Sequence, residues 1–223
     1  MKISPTLTEV KEIAKTGKYN ILPVSCEILS DFITPIEAMR ILQNVSTHCY
    51  LLESAQANEA WGRYTFLGYD PKLEINCIDG HMKLGKLSVE TENPSEYIRQ
   101  ILSEYKSPKF DYLPSFTGGL VGYFSYDYLG YKEKSIRGKA RDTEDFKDVD
   151  LMLFDKVIAF DNLCQKIILI ANMSLDAPET GYNKAIVELK QLRELLTHGE
   201  KKQNMGGKLL GDVTPLFDKE QYC

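Results

Sequence analysis

The 223-residue sequence lacks the features that define several large classes of protein. Its five cysteines are scattered and never stand in a Cys-x-x-Cys pair, which favours reduced, buried thiols over a zinc site or a disulfide framework. No apolar run approaches the roughly 20 residues that span a bilayer. The first fifteen residues carry Glu9 and Glu12 and no apolar core, so they do not form a secretory signal. We therefore expect a cytoplasmic protein without a membrane partner.

The sequence also has no excess of basic charge, with 27 Lys and Arg residues against 32 Asp and Glu residues. The formal net charge is -5, and no basic stripe with interleaved aromatic residues occurs, which argues against a nucleic-acid partner. The hydrophobic content of 43% and the charged content of 26% are ordinary for a globular protein. A chain of this length buries roughly 70% of its unfolded surface, so a core forms without covalent staples.

Strand and helix patterns are interspersed, and most predicted strands pair as hairpins. One hairpin covers residues 73–84 about Asp79-Gly80. Another joins residues 151–160 to residues 163–171 about Asp161-Asn162, and its two apolar strands predict a central position in a sheet. The pattern predicts an α+β fold with mostly antiparallel sheets and packed helices.

Two helices have clear sequence signals. Thr34-Pro35-Ile36-Glu37 combines a hydroxyl cap, a first-turn proline and a glutamate that closes a capping box. We expect Ile36, Met39, Leu42 and Val45 of this helix to face inward. A longer helix ends at His198, and its helical period predicts a buried stripe that includes Leu189 and Leu192.

The segment with the most chemistry is residues 50–69, YLLESAQANEAWGRYTFLGY. A strand-like run ends at Glu53 and Ser54, and a second run begins at Arg63 and Tyr64. A carboxylate, a hydroxyl and a guanidinium at the facing ends of a strand pair are the groups that hold a zwitterionic amino acid. The alternative is a solvated hairpin in which Arg63 and Glu53 form a weak surface ion pair. Trp61 packs on such a site or simply caps the hairpin.

The glycines Gly118, Gly119 and Gly122 raise the question of a phosphate-binding loop. They lie among aromatic residues in a strand-like run and lack the following Lys-Ser/Thr of a phosphate loop. Close backbone packing or a bulge explains them better.

Five sequence blocks stand out, namely LLES, WGRYTFLG, TPIEAMRIL, FTGGLVGYFSYD and DVDLMLFDKVIAFDN. Together they resemble the N-terminal region of anthranilate synthase component I, a chorismate-utilising enzyme. Their order and spacing follow the family over nearly the whole chain, although GRYTF replaces the family pattern GRYSF. The blocks separate this family less decisively from aminodeoxychorismate synthase component I. A free-standing amino-acid-binding module is a third hypothesis.

The resemblance implies a function for the intact protein. It would convert chorismate and ammonia to anthranilate and pyruvate, with ammonia from a glutamine amidotransferase subunit and feedback inhibition by L-tryptophan. Glu53 and Ser54 match positions that line the tryptophan site, and Arg63 lies near that pocket. Leu52 and Tyr64 would form part of the wall for the indole ring, and the missing C-terminal half would form the other wall.

The resemblance also predicts the domain organisation. Residues 1–198 correspond to the regulatory and structural N-terminal domain, and residues 199–223 to a linker and the start of the chorismate-binding domain. Asp218 and Gln221 predict the entry to a helix near the end of the sequence, so we expect a fragment whose catalytic half is absent. The magnesium ligands would lie in that half, and we expect no catalysis by this chain alone. Its nearest acidic cluster, Asp142, Glu144 and Asp145, has the character of a solvated loop.

Overall fold

The computed structural model describes residues 2–53, 62–135, 146–202, 206–215 and 218–222. The helices of these ranges are α1 (Leu7–Lys15), α2 (Pro35–Val45), α3 (Pro94–Glu104), α4 (Pro178–His198) and α5 (Lys219–Tyr222), with a 3-10 helix over Tyr126–Tyr131. The strands are β1 (Ile3–Ser4), β2 (Ile21–Leu29), β3 (Cys49–Leu52), β4 (Tyr64–Tyr69), β5 (Leu73–Ile78), β6 (His81–Leu84), β7 (Leu87–Glu90), β8 (Gly119–Phe124), β9 (Val149–Phe154), β10 (Lys156–Asp161) and β11 (Lys166–Ser174). Within these ranges, no helix combines the length and the apolar character needed to cross a membrane.

The strands form two antiparallel sheets, which confirms the predicted α+β fold. The first has the order β1-β2-β11-β10-β4-β3, and the second has the order β7-β6-β5-β9-β8. The β10–β11 hairpin lies at the centre of the first sheet, as its apolar sequence predicts. Side chains on both of its faces are buried, because successive residues of a strand point to opposite sides.

The two faces of the six-stranded sheet have different covers. On one face, Ile158, Ile167 and Leu169 belong to a core that also contains buried residues of α1, α2 and α4. On the other face, a smaller cluster is built from Val157 and three further strand residues with Leu113. We call this other face the second face. Partly buried aromatic side chains pack on it, and it carries the candidate site described below.

The predicted single strand over residues 151–160 is wrong. The chain forms β9 in the five-stranded sheet, passes through Asp155, and then forms β10 in the six-stranded sheet. Both strands are apolar because each is sandwiched in its own sheet, so the sequence shows one continuous run. Asp155 stands between the two strands, and its carbonyl oxygen accepts a hydrogen bond from the Asn172 backbone at 2.8 Å.

The helix starts follow the sequence closely. Thr34 forms the predicted capping box with Glu37 at the start of α2, and Thr6 forms an equivalent box with Glu9 at the start of α1. The end of the chain behaves likewise, since Gln221 donates its backbone N–H to the Asp218 carboxylate at 2.8 Å. Capping depends on neighbours in sequence, which is why these starts were predictable.

The inward face of α2 differs in part from its prediction. Leu42 is fully buried, but Ile36 and Val45 are 58% and 56% exposed, and the buried positions are instead Ala38 and Ile41. The helix packs against β3 and β4 and touches α4, and this packing selects a stripe rotated from the one expected. Apolar residues occur on more than one side of this helix, so the helical period alone does not specify which of them are buried.

The glycine-rich strand is explained by close backbone packing. The register between β8 and β9 is unbroken, so the strand has no bulge. Gly122 has φ of +152°, and a Cβ at this position would overlap the carbonyl oxygen of Asp150 on β9. A side chain is therefore excluded both by conformation and by space.

We expect Gly122→Ala to destabilise the protein by about 3 kcal/mol, because β8 must shift away from β9 and adopt a strained backbone. Urea denaturation followed by circular dichroism measures the change. Gly211→Ala is the matched control, since a Cβ there meets nothing within 4 Å. Equal stability of the two variants would contradict this explanation.

Candidate functional site

The predicted strand pair of residues 50–69 is present. Strands β3 and β4 are antiparallel, with Leu51 opposite Leu67 and Leu52 opposite Phe66. Glu53 directly follows β3 and is exposed, and Arg63 directly precedes β4. In an antiparallel pair, the end of one strand and the start of the next lie at the same end of the sheet. The backbone thus brings Glu53 and Arg63 to one end of the six-stranded sheet.

Aromatic side chains extend from this end across the second face. The ring centroids of Tyr64 and Phe66 are 5.8 Å apart, those of Phe66 and Phe116 are 5.7 Å apart, and those of Phe116 and Tyr50 are 6.4 Å apart. We call these four residues the aromatic row. Leu52 lies opposite Phe66 and hence on the same face, with 48% of its surface exposed. Tyr50 is buried, whereas Tyr64, Phe66 and Phe116 are only partly buried and offer apolar surface that suits a flat ring.

The guanidinium of Arg63 forms a bidentate salt bridge with Asp161, the last residue of β10. Its Nε donates to Oδ1 at 3.1 Å and its Nη2 donates to Oδ2 at 2.7 Å. The Asp161 side chain is fully buried, whereas the Arg63 side chain is 35% exposed. Such planar, two-point pairing is the strongest form of arginine–carboxylate contact.

Asp161 is held by the turn that follows it as well. Its Oδ1 accepts the backbone N–H of Leu163 at 3.2 Å and of Cys164 at 3.0 Å. Burial by itself raises the pKa of the Asp161 carboxyl, but the hydrogen bonds from Arg63 and from the Cys164 backbone outweigh burial and lower this pKa to about 2. Hydrogen bonding to Asp161 likewise raises the pKa of Arg63, so both groups are charged at neutral pH.

The salt bridge uses one edge of the guanidinium only. Nε and Nη2 face Asp161, and the other edge, formed by Nη1 and Nη2, points away from it. Among the residues that the structure describes, the further contact at this edge is a weak one from Nη2 to the Cys164 sulfur at 3.7 Å. The guanidinium carbon lies 4.9 Å from the centre of the Tyr64 ring, at the end of the aromatic row. This arrangement can present a donor pair to a carboxylate beside an apolar surface.

The carboxylate partner of Arg63 was missed by the sequence interpretation. The sequence alone pairs Arg63 with Glu53 and places Asp161 only in a hairpin turn. A signal did exist, because an aspartate at the end of a buried apolar run needs a cationic partner. The pair joins residues 98 positions apart, and a sequence without contacts does not specify such a pair.

The remaining predicted site residues have mixed outcomes. Leu52 lies on the second face, and Tyr64 is itself a member of the aromatic row on that face. Ser54 and Trp61 lie outside the described residues, as do Asp142, Glu144 and Asp145. The joint action of Glu53, Ser54 and Arg63 on a ligand therefore stays a prediction.

Comparison with known proteins gives the family. Residues 47–223 match the profile of the chorismate binding enzymes, and the chain belongs to this family. It is 32% identical to anthranilate synthase component 1 of Acetivibrio thermocellus, across 98% of this chain and 46% of that protein. It is 36% identical to anthranilate synthase component 1 of Pseudomonas aeruginosa, across 84% of this chain and 39% of that protein.

A solved structure with this likeness is the crystal structure of anthranilate synthase component I from Streptococcus pneumoniae. The match has a TM-score of 0.48 and 25% sequence identity, and it covers 74% of this chain and 36% of that one. The chain thus spans less than half the length of the relatives it matches.

We expect Asp161→Asn to lower the free energy of unfolding by about 2 kcal/mol at pH 7, which is the linkage value of a carboxyl whose pKa falls from 3.8 to about 2 on folding. This stabilisation is present above the unfolded pKa and disappears as the pH falls from about 4 towards 2. The difference between wild type and variant should therefore shrink over the same range.

Urea denaturation at a series of pH values measures this difference. The exposed residue Asp212 provides the control, and Asp212→Asn should leave the stability within about 0.5 kcal/mol of wild type. A difference for Asp161→Asn that stays constant down to pH 2 would contradict the assignment.

Proposed function

We propose that this chain is the N-terminal regulatory and structural part of an anthranilate synthase component I, and that it carries part of a tryptophan feedback site. The observation that carries the proposal is the similarity to anthranilate synthase component 1 over 98% of the chain. In this proposal, the whole cytoplasmic enzyme converts chorismate and ammonia to anthranilate and pyruvate. A glutamine amidotransferase subunit supplies the ammonia.

The catalytic residues belong, in this proposal, to the C-terminal half of the enzyme. A Mg²⁺ ion would bind there and neutralise the carboxylates of the substrate. Within the described ranges, no three His, Cys, Asp or Glu side chains are grouped closely enough to hold a metal ion, and we assign no metal ligand to this chain. We expect the isolated chain to be inactive.

The proposed effector is a free aromatic amino acid, and the supporting observation is the arrangement at the β3–β4 end of the sheet. Exposed Glu53 would accept hydrogen bonds from the ammonium group, and the Nη1/Nη2 edge of Arg63 would donate to the carboxylate. The indole would lie against Leu52, which is 48% exposed, and against the partly buried rings of Tyr64, Phe66 and Phe116. Each charge-assisted contact contributes roughly 1.5–3 kcal/mol, which is enough to select a zwitterion over a plain indole.

The first test is the activity of the protein at the length that its native cells produce. We expect a chain about twice as long as this one, because the relatives are more than twice as long. With chorismate, Mg²⁺ and ammonia it should form fluorescent anthranilate, and L-tryptophan should inhibit it. If native cells contain only a chain near 25.4 kDa and no longer form, the proposal that this chain is part of the enzyme would be wrong. Anthranilate formation that L-tryptophan does not inhibit would remove the feedback site.

A second test addresses the ammonium contact. We expect Glu53→Ala in the full-length enzyme to raise the L-tryptophan concentration for half-inhibition by about tenfold or more, because one charge-assisted contact is lost. Inhibition of ammonia-dependent anthranilate formation provides the measurement. Glu104→Ala, at the exposed end of α3, is the matched control. Unchanged inhibition of the Glu53→Ala enzyme by L-tryptophan would show that Glu53 does not bind the ammonium group.

A further inference from the structure

Asp161 combines a buried charge with a fixed position. Its carboxylate accepts four hydrogen bonds, two from Arg63 and two from the backbone N–H groups of Leu163 and Cys164. A buried carboxylate is costly unless it is paired and hydrogen-bonded, and here both conditions are met. The two backbone bonds come from the turn between β10 and β11, the central hairpin of the sheet. Asp161 is thereby tied to the exposed turn that closes the central hairpin.

Arg63 is anchored at both of its ends through this contact. Its backbone carbonyl accepts the Asn162 N–H at 2.9 Å, which extends the β4–β10 ladder by one step beyond Tyr64. Its guanidinium is fixed on Asp161 and lies over the Tyr64 ring. A free surface arginine loses rotamer freedom when it binds a ligand, whereas this one has already lost that freedom on folding. The arginine is preorganised.

We propose that Asp161 is a positioning residue that holds Arg63 with its Nη1/Nη2 edge directed at the carboxylate of the effector. The proposal rests on the tryptophan site proposed above and adds how that site is oriented. Asp161 occupies the Nε/Nη2 edge, so a ligand carboxylate can approach only from the other edge. The guanidinium carbon lies 4.9 Å from the centre of the Tyr64 ring, at the end of the aromatic row, where the ring of the ligand would lie.

The opposite charges of Asp161 and Arg63 determine which ligands the pair would select. Asp161 cancels the charge of Arg63, so the pair attracts anions weakly at long range and selects a carboxylate by the direction of its donors. Asparagine in place of Asp161 would keep the size but turn an amide N–H₂ group or a single acceptor towards the guanidinium. Arg63 would then leave its position, and ligands with a carboxylate would lose affinity.

Calorimetric titration of the full-length protein with two ligands tests the proposal. L-Tryptophan has the carboxylate, and L-tryptophanamide replaces it with a neutral amide and keeps the ammonium and the indole. For Asp161→Asn we expect about tenfold weaker binding of L-tryptophan, and a change of less than about twofold for L-tryptophanamide. In an Arg63→Gln background, Asp161→Asn should have no additional effect on either ligand.

Asp70→Asn is the matched control. Asp70 pairs with Lys156 at 2.7 Å at the opposite end of β4, and the Lys156 side chain is only 18% exposed. Removing this second carboxylate disturbs a comparable ion pair without touching Arg63. We expect the affinities of both ligands to stay within about twofold of wild type. If Asp161→Asn does not fold, Asp161→Glu keeps the charge, displaces the guanidinium by one methylene, and should weaken L-tryptophan selectively.

The outcomes separate this proposal from the proposed function. Equal losses for both ligands, or unchanged binding of L-tryptophan in the folded Asp161 variants, would overturn the positioning role while Arg63→Gln still shows the site. Binding of L-tryptophan that is insensitive to both Arg63 and Glu53 would place the effector elsewhere and overturn the site itself. A full-length protein that does not bind L-tryptophan would overturn both.

Discussion

The salt bridge between Arg63 and Asp161 joins three strands at one end of the six-stranded sheet. It links the first residue before β4 to the last residue of β10, and the same carboxylate closes the turn into β11. A buried carboxylate cannot stand in such a place without a cation, since its desolvation would cost several kcal/mol. The position of Arg63 is therefore imposed by the fold, and any ligand that uses Arg63 meets it in a fixed orientation.

The layout of the sheets explains why the site lies where it does. Helices α1, α2 and α4 cover one face of the six-stranded sheet, while Phe116 and Leu113 cover part of the second face. Tyr64 and Phe66 are therefore only partly buried, and apolar contact remains available beside a charged group. The chain leaves the five-stranded sheet at Asp155 and continues as β10 in the six-stranded sheet, where the last residue of β10 lies opposite the first residue of β4.

Local signals made much of this fold predictable, whereas contacts between distant residues did not. The capping boxes at Thr34 and Asp218, the central hairpin and the β3–β4 pair depend on short-range patterns, and the structure contains them. The switch of sheets at Asp155 is hidden in a continuous apolar run, and the Arg63–Asp161 pair spans 98 positions. Neither feature produces a periodic pattern in the sequence. For the site, sequence placed Glu53 and Arg63 at one end of the strands but could not tell which carboxylate Arg63 would contact.

A structure of the full-length protein with L-tryptophan bound tests the central claim most directly. We expect the ligand carboxylate within about 3 Å of Arg63 Nη1, the Asp161 carboxylate still on Nε and Nη2, and the indole against the aromatic row. A ligand on the helix-covered face, or an Arg63 that turns away from Asp161 to reach the ligand, would contradict it.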